Sequence, residues 1–296
     1  MTSTATLARP RNTAAAAADQ PSVGVRKTAA RPLWTAVVPV FNEAEYLPGT
    51  ISSLIAQSLP FHLIVVDNGS TDGCIAAARE QLAQSGISHD ILHEPRPGQV
   101  HALATGIARA DTDFIAICDA DTYYPPYYLA AAEQVFATRG DLCVMANAWL
   151  RPEGASASRA KRARRHRLAV ARLWPRQNHT SGAAQCFRTE ALKRVGGYDA
   201  KRWPFVLKDH ELAHRVLKLG HQAMDADLWC ISSARRTSRT GVRWTLFERF
   251  MYHFTPHATK DWFFYRFLAR RFTARGLKDT VLRQRAWAPQ GEQAAA

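Results

Sequence analysis

The chain has 296 residues, enough for one large α/β domain or two small ones around a sizeable core. Its net charge of +14 points to an anionic partner, whether nucleotide, membrane surface or nucleic acid. Five widely spaced cysteines without a CxxC pair argue against a disulfide framework or structural zinc and fit a reducing, cytoplasmic compartment, and no window approaches the roughly 18 apolar residues of a membrane span.

In chain order, residues 1–33 read as a disordered basic tail, mostly Ala, Thr and Arg, and 288–296 as a frayed end. Thr35-Ala-Val-Val-Pro-Val is a strand that Asn42-Glu43 leave for a helix, where Leu47, Ile51, Leu54 and Ile55 recur at helical spacing and so face a core. Phe61-His-Leu-Ile-Val-Val is a second strand, ending on Asp67. Asn68-Gly-Ser-Thr-Asp-Gly turns into a helix from Cys74 to Ala83, with Ser70, Thr71 or Asp72 as its cap. His89 to His93 reads as a third strand, Pro95 to Gly98 as a loop and Gln99 to Ala110 as a helix. Phe114 to Cys118 is a fourth, buried strand; Asp119 and Asp121 end it, and Pro125-Pro126 forbid further pairing. This β-α-β-α-β-α-β order predicts an α/β fold with a mostly parallel, doubly wound sheet, whose ligand lies beyond the carboxyl ends of the strands.

Acids gather at that edge: Glu43, Asp67, then Asp119 with Asp121. Packing explains two carboxylates at the end of a buried strand poorly, because like charges repel and must be desolvated. A divalent cation and a polyphosphate explain them better, since hard oxygen ligands suit Mg or Mn, which share their shell with phosphate.

VVPVFNE, VVDNGSTDG and CDADT, in this order and spacing, resemble the nucleotide-binding half of the family 2 glycosyltransferases, whose fold is called GT-A. Gly98 to Ile107 is similar to that family's Gly-x7-Gly-Ile helix, with Ala104 where Asn is frequent. Ser181 to Arg188 and Ala191 to Asp199 resemble the stretch before the acceptor-side acid, and Lys208 to Val216 resembles the family's Glu-Asp-x-x-Leu-x-x-Arg helix, with Lys208 where Glu is usual. The resemblance covers roughly Thr35 to Arg236 and implies a GT-A domain over 34–236, divided into a nucleotide-binding half (34–150) and an acceptor half (151–236). It implies that Asp67 accepts a hydrogen bond from the donor's base, with Asn68 beside it, and that Pro39 and Glu43 line the nucleotide pocket. Asp119 would meet ribose, sugar or metal, Asp121 the Mn or Mg on the diphosphate, and Asp209 would be the general base. The expected activity is inverting, metal-dependent, non-processive transfer from a nucleotide sugar, leaning to UDP, onto an acceptor hydroxyl. Gln284-Arg-Ala-Trp287 lacks the Arg of a processive QxxRW. A catalytically silent nucleotide-sugar or polyanion-binding module is the alternative from another class.

His210-Glu-Leu-Ala-His214 is also a formal HExxH, which on a helix would hold zinc with Glu211 as base. His221 does not complete the extended motif, and a zinc protease leaves Asp119 and Asp121 unexplained. Arg159 to Arg176 carries many arginines and no acid, and reads as a solvated acceptor-side segment or a surface for an anionic membrane, with peripheral attachment. No nucleic-acid module is present. Arg235-Arg236 would reach back to phosphates. Residues 237–287 form a basic, aromatic helical extension that packs on the domain or lies in a membrane interface, and His253 or His257 would complete a metal shell.

Overall fold

The computed structural model describes residues 32–177, 179–233 and 245–280, all in one compact unit. Most of the expected N-terminal tail, the C-terminal tail, Arg235-Arg236 and Gln284–Trp287 lie outside the described residues.

The first half alternates strands and helices as the sequence predicts: β1 (Trp34–Val40), α1 (Leu47–Ile55), β2 (Phe61–Asp67), α2 (Cys74–Ser85), β3 (Ser88–His93), α3 (Gln99–Arg109) and β4 (Phe114–Ile117). β5 (Thr122–Tyr123), α4 (Tyr128–Arg139), β6 (Cys143–Leu150), α5 (Ala157–Leu173), β7 (Gln185–Arg188), α6 (Thr189–Arg194), α7 (Lys208–Val216) and β8 (His221–Ser232) follow. The sheet order is β3-β2-β1-β4-β7-β6-β8-β5. β3, β2, β1 and β4 run parallel, while antiparallel pairings enter with β7, against β4 and β6, and with β5, against β8.

Alternation along β1 divides the core. Ala36, Val38 and Val40 join a cluster with Leu47 and Ile51 of α1, Leu82 of α2 and Phe136 of α4. Val37 points the other way, into a cluster with Leu103 and Ile107 of α3, Leu192 of α6 and Leu212 of α7. A strand buried on both faces reads as a continuous apolar run, and each such side chain contributes about 1.5–3 kcal/mol. α3 packs close enough on β1 that a Cβ on Gly106 would lie 2.4 Å from Val37 Cγ1, which is why glycine stands there.

The extension folds as α8 (Leu246–Phe254), α9 (Lys260–Trp262), a π-helical stretch (Phe263–Leu268) and α10 (Ala269–Ala274). Tyr252, Phe263, Phe264, Leu268 and Phe272 pack with Trp203 and Phe205 in a third core, so the extension does pack on the domain.

Candidate active site

Adjacent strand ends assemble the acidic rim. β2, β1 and β4 are neighbours, with Val40 in register with Asp67 and Val37 with Ile117. The last bond between β1 and β4 runs from Cys118 N–H to the Val37 carbonyl. Beyond it the two strands part at Pro39, which has no N–H to offer, and Asp119 emerges beside the gap. Asp67 ends β2 on one side of β1, and Asp119 follows β4 on the other. Pro39, Glu43, Asn68, Asp119 and Asp121 are buried, and Asp67 is half-buried. Asp67, Pro39 and Asp119 thus lie at the same end of three adjacent strands, with Glu43 in the segment between β1 and α1 and Asp121 in the segment between β4 and β5.

Side chains cross-brace the loops that carry them. Asn42, in a left-handed conformation (φ 53), accepts from Thr71 N–H at 2.8 Å, and Asp72 accepts from Ala44 N–H and Cys74 N–H at 2.8 and 3.1 Å. Of the expected caps Asp72 therefore acts, although Gly73 occupies the N-cap position of α2. Asp67 accepts from Ser70 N–H at 2.8 Å and meets His93 Nδ1 at 3.2 Å. Asn68 donates to the carbonyls of Glu94 and Arg96, both at 2.8 Å, and accepts from Gly98 N–H at 2.9 Å, so its amide shapes the pocket wall. Glu94 itself is clamped by Arg96, which holds its carboxyl down to about 2.

The acceptor-side acid is tied to this rim by a short relay. Asp119 N–H donates to Tyr124 Oη at 2.9 Å, and that hydroxyl donates to the Ala183 carbonyl at 2.9 Å. In the same 3₁₀ turn (Gly182–Ala184), Gly182 N–H donates to the Asp209 carboxylate at 3.0 Å. Asp209 is held at the start of α7, just after Leu207, which adopts a left-handed φ of 61. Tyr198 is buried beside this junction; burial, then the charges of Asp209 and Asp119, push its pKa well up, and its hydroxyl has no hydrogen-bond partner among the described residues. Gln99 Nε2 donates to Asp119 at 3.1 Å. Sequence reasoning missed Gln99, Tyr124 and Tyr198, since nothing in their local pattern sets them apart from helix, turn and core residues.

Lys208 has a specific partner. Its Nζ meets Asp279 at 2.5 Å, and the other Asp279 oxygen accepts from Val100 N–H, at the start of α3, at 3.0 Å. The Lys in place of the usual Glu is thus matched by an acid from the extension.

For a divalent cation, the donor set fits. Asp119 and Asp121 are hard oxygen ligands, and Mg or Mn on a diphosphate takes one or two carboxylates and fills its shell with phosphate and water. Asp121 is held by Ser233, whose Oγ donates to its carboxylate at 3.1 Å. No three His, Cys, Asp or Glu side chains form a metal-binding group among the described residues. Neither His253 nor His257 therefore forms a three-residue group with the two acids, and the expected completion of a shell by either is not seen. The HExxH reading fails on Glu211, whose oxygens are occupied by Arg215 at 2.7 and 2.9 Å and by Tyr265 at 2.5 Å. His214 is turned to Asp261 at 2.8 Å, while His210 faces Tyr252 at 3.5 Å.

Comparison with known proteins agrees with this architecture. An uncharacterised glycosyltransferase of Mycobacterium bovis is 29% identical over 202 residues, covering 66% of this chain and 83% of the relative. An undecaprenyl-phosphate 4-deoxy-4-formamido-L-arabinose transferase of Serratia proteamaculans is 33% identical over 97 residues, 30% of this chain and 29% of that one. Among solved structures, a mannosyltransferase from Pyrobaculum calidifontis in complex with GDP-Man and Mn2+ superposes with a TM-score of 0.60 at 25% identity, covering 78% of this chain and 64% of that chain. The match thus spans just under two thirds of that enzyme's length. Residues 1–349 of Staphylococcus aureus TarS, in complex with UDP-GlcNAc, share the fold at a TM-score of 0.54 and 16% identity, over 81% of this chain and 72% of that fragment. The sequence pattern described as "Glycosyl transferase family 2" matches residues 35–196, more than half of the chain, and the protein belongs to that family.

Proposed function

We propose that this glycosyltransferase is an inverting, metal-dependent, non-processive enzyme that moves a sugar from a nucleotide sugar, leaning to UDP, to an acceptor hydroxyl. The domain over 34–236 divides into a donor half (34–150) and an acceptor half (151–236), closed by the extension from 237 to 287. One observation carries the reading: the relay Asp119 N–H, Tyr124 Oη, Ala183 C=O, Gly182 N–H, Asp209 joins the donor rim to a carboxylate on the acceptor side. Asp67 and Glu43 would receive the nucleotide, with His93 beside Asp67. Asp209 would take the proton of the attacking hydroxyl, a role typically worth about 10²–10⁴ in rate. A single base opposite the departing diphosphate leaves one displacement, which inverts the anomeric centre. Asp119 and Asp121 would hold Mn or Mg, which when bound neutralises charge on the diphosphate. The five cysteines are free and buried, in keeping with a reducing, cytoplasmic setting.

The test is a nucleotide-sugar panel in thermal shift with and without Mn, followed by turnover assays. A true donor raises Tm by mass action, and Asp121→Ala removes the metal-dependent part of the rise. Asp209→Asn keeps donor binding and loses turnover at least about a hundredfold. Equal shifts in wild type and Asp121→Ala would count against the metal assignment. Donor binding without turnover in the wild type, with membrane extracts as acceptor, would favour the silent module.

A further inference from the structure

We propose that the outer face of α8, continued by Phe267 and Trp262, seats this protein on an anionic lipid bilayer interface. α8 is amphipathic in reverse. Its carboxylate Glu248 is 0% exposed, while Leu246, Phe247, Phe250 and Phe254 are 86, 55, 54 and 69% exposed. Glu248 is held inside by a capping box with Thr245 and by Arg271 and Arg275 at 2.8 and 2.7 Å. In water such an arrangement is inverted; against lipid it is the expected one.

The outward rings form one ridge. Phe250 stacks on Phe254 at 4.3 Å, Phe247 meets Phe267 at 5.8 Å, and Phe267 meets Trp262 at 5.7 Å. Phe254 and Trp262 share a cleft of about 270 Å³ with Met251 and Pro256. Arg249, Arg266 and Arg270, on the same helical segments, are exposed, and the guanidinium of Arg271 lies 5.6 Å from the Phe267 ring. The exposed acid nearby, Asp261, is engaged by Lys218 at 2.7 Å. Rings with arginines on the same segments match the headgroup region of a bilayer, where apolar bodies sink and charges stay at the phosphates.

Charge complementarity selects the occupant. Beyond α8, the 17-residue helix α5 has Ala160 as its one buried residue among the described ones and no acid in its sequence. Arg176, just past α5, and His257, just past α8, line the same cavity of about 490 Å³, so the two basic surfaces adjoin. A second copy of a chain carrying +14 would bring like charges together, whereas anionic phospholipid neutralises them. The inner side of α8 reaches the acceptor base: the Tyr252 ring lies 5.6 Å from His210, the residue after Asp209. Seating α8 on lipid therefore leaves one helix between the bilayer surface and the Asp209 flank, a consequence that rests on the proposed role of Asp209.

The test is co-sedimentation of the full chain, without donor, on vesicles of phosphatidylcholine alone and of phosphatidylcholine mixed with phosphatidylglycerol. Wild type should bind the anionic vesicles more tightly, and added salt should weaken binding. Phe250→Asp with Phe254→Asp should reduce binding at least about tenfold while Tm and the donor-induced thermal shift stay unchanged. Failure to bind anionic vesicles, or equal binding by the double variant, would overturn the proposal. So would a wild-type dimer that the double substitution converts to monomer, since a second copy would then cover the face. Donor binding is read without vesicles, so failure of the transferase reading leaves this measurement unaffected.

Discussion

His179 meets Gln222 Oε1 at 2.9 Å, and burial, reinforced by His210, pushes its pKa down to about 3. Burial likewise holds His214 down to about 4, with the charge of Lys218 adding to the depression and the hydrogen bond to Asp261 opposing it. Between the ordinary value of 6.5 and these depressed ones, the unfolded chain binds protons that the folded chain refuses. Stability therefore falls as the pH drops below 6.5, and His179 goes on contributing to the loss down to about 3. Tm measured from neutral pH to about pH 4 should decline, and less steeply in His179→Gln, which has no proton to take up. Parallel declines would remove His179 from the account. At this scale the sequence displays acids better than neutrals. Asp67, Asp119, Asp121 and Asp209 stand at strand or helix ends, where packing has no use for charge. His179 and Tyr198 become visible only when the fold surrounds them.

Tyr124 joins two elements that share no secondary structure. It accepts from Asp119, two residues past β4, and donates to the turn before β7, so one hydroxyl holds the donor rim against the segment that holds Asp209. Tyr124→Phe keeps the ring and its packing on Tyr128 but removes the hydroxyl that accepts from Asp119 N–H and donates to the Ala183 carbonyl, leaving that carbonyl the weaker Cys230 thiol at 3.9 Å. The expected cost is about 1–3 kcal/mol in urea unfolding, together with a fall in kcat larger than any change in donor affinity. An undiminished kcat would show that the relay does not position Asp209 for its proposed role. Among elements, β1 to β4 and α1 to α3 were legible because their apolar periods are long and local. Gly98 and Gly106 also make physical sense: Gly98 has φ +130 beside Asp279, and Gly106 lets α3 close on β1. β5, with two residues, and the antiparallel insertion of β7 between β4 and β6 depend on partners far along the chain, so no local pattern announces them.

Across the whole molecule, the extension completes what the transferase domain leaves open. Leu277 O accepts from Val206 N–H and Phe205 bridges Lys278, laying the strap beside the entry to α7, where it delivers Asp279 to Lys208. The partners are 71 residues apart, which is why the sequence shows an unexplained lysine and not its pair. Their side chains are 13% and 7% exposed, so removing either one strands a charge largely out of water, typically at about 3–5 kcal/mol. Lys208→Met and Asp279→Asn should each destabilise the protein on that scale, whereas the double variant should cost clearly less than their sum, because it leaves no charge alone. Asp279→Asn retains an acceptor for Val100 N–H, which separates the ion pair from the cap on α3. Turnover should fall in both single variants if Asp209, which Lys208 immediately precedes, is the proposed base. Unfolding free energies of the four proteins at neutral pH decide the matter: additive losses would mean that extension and domain are merely packed together, and a large coupling would mean that the strap sets the geometry at Asp209.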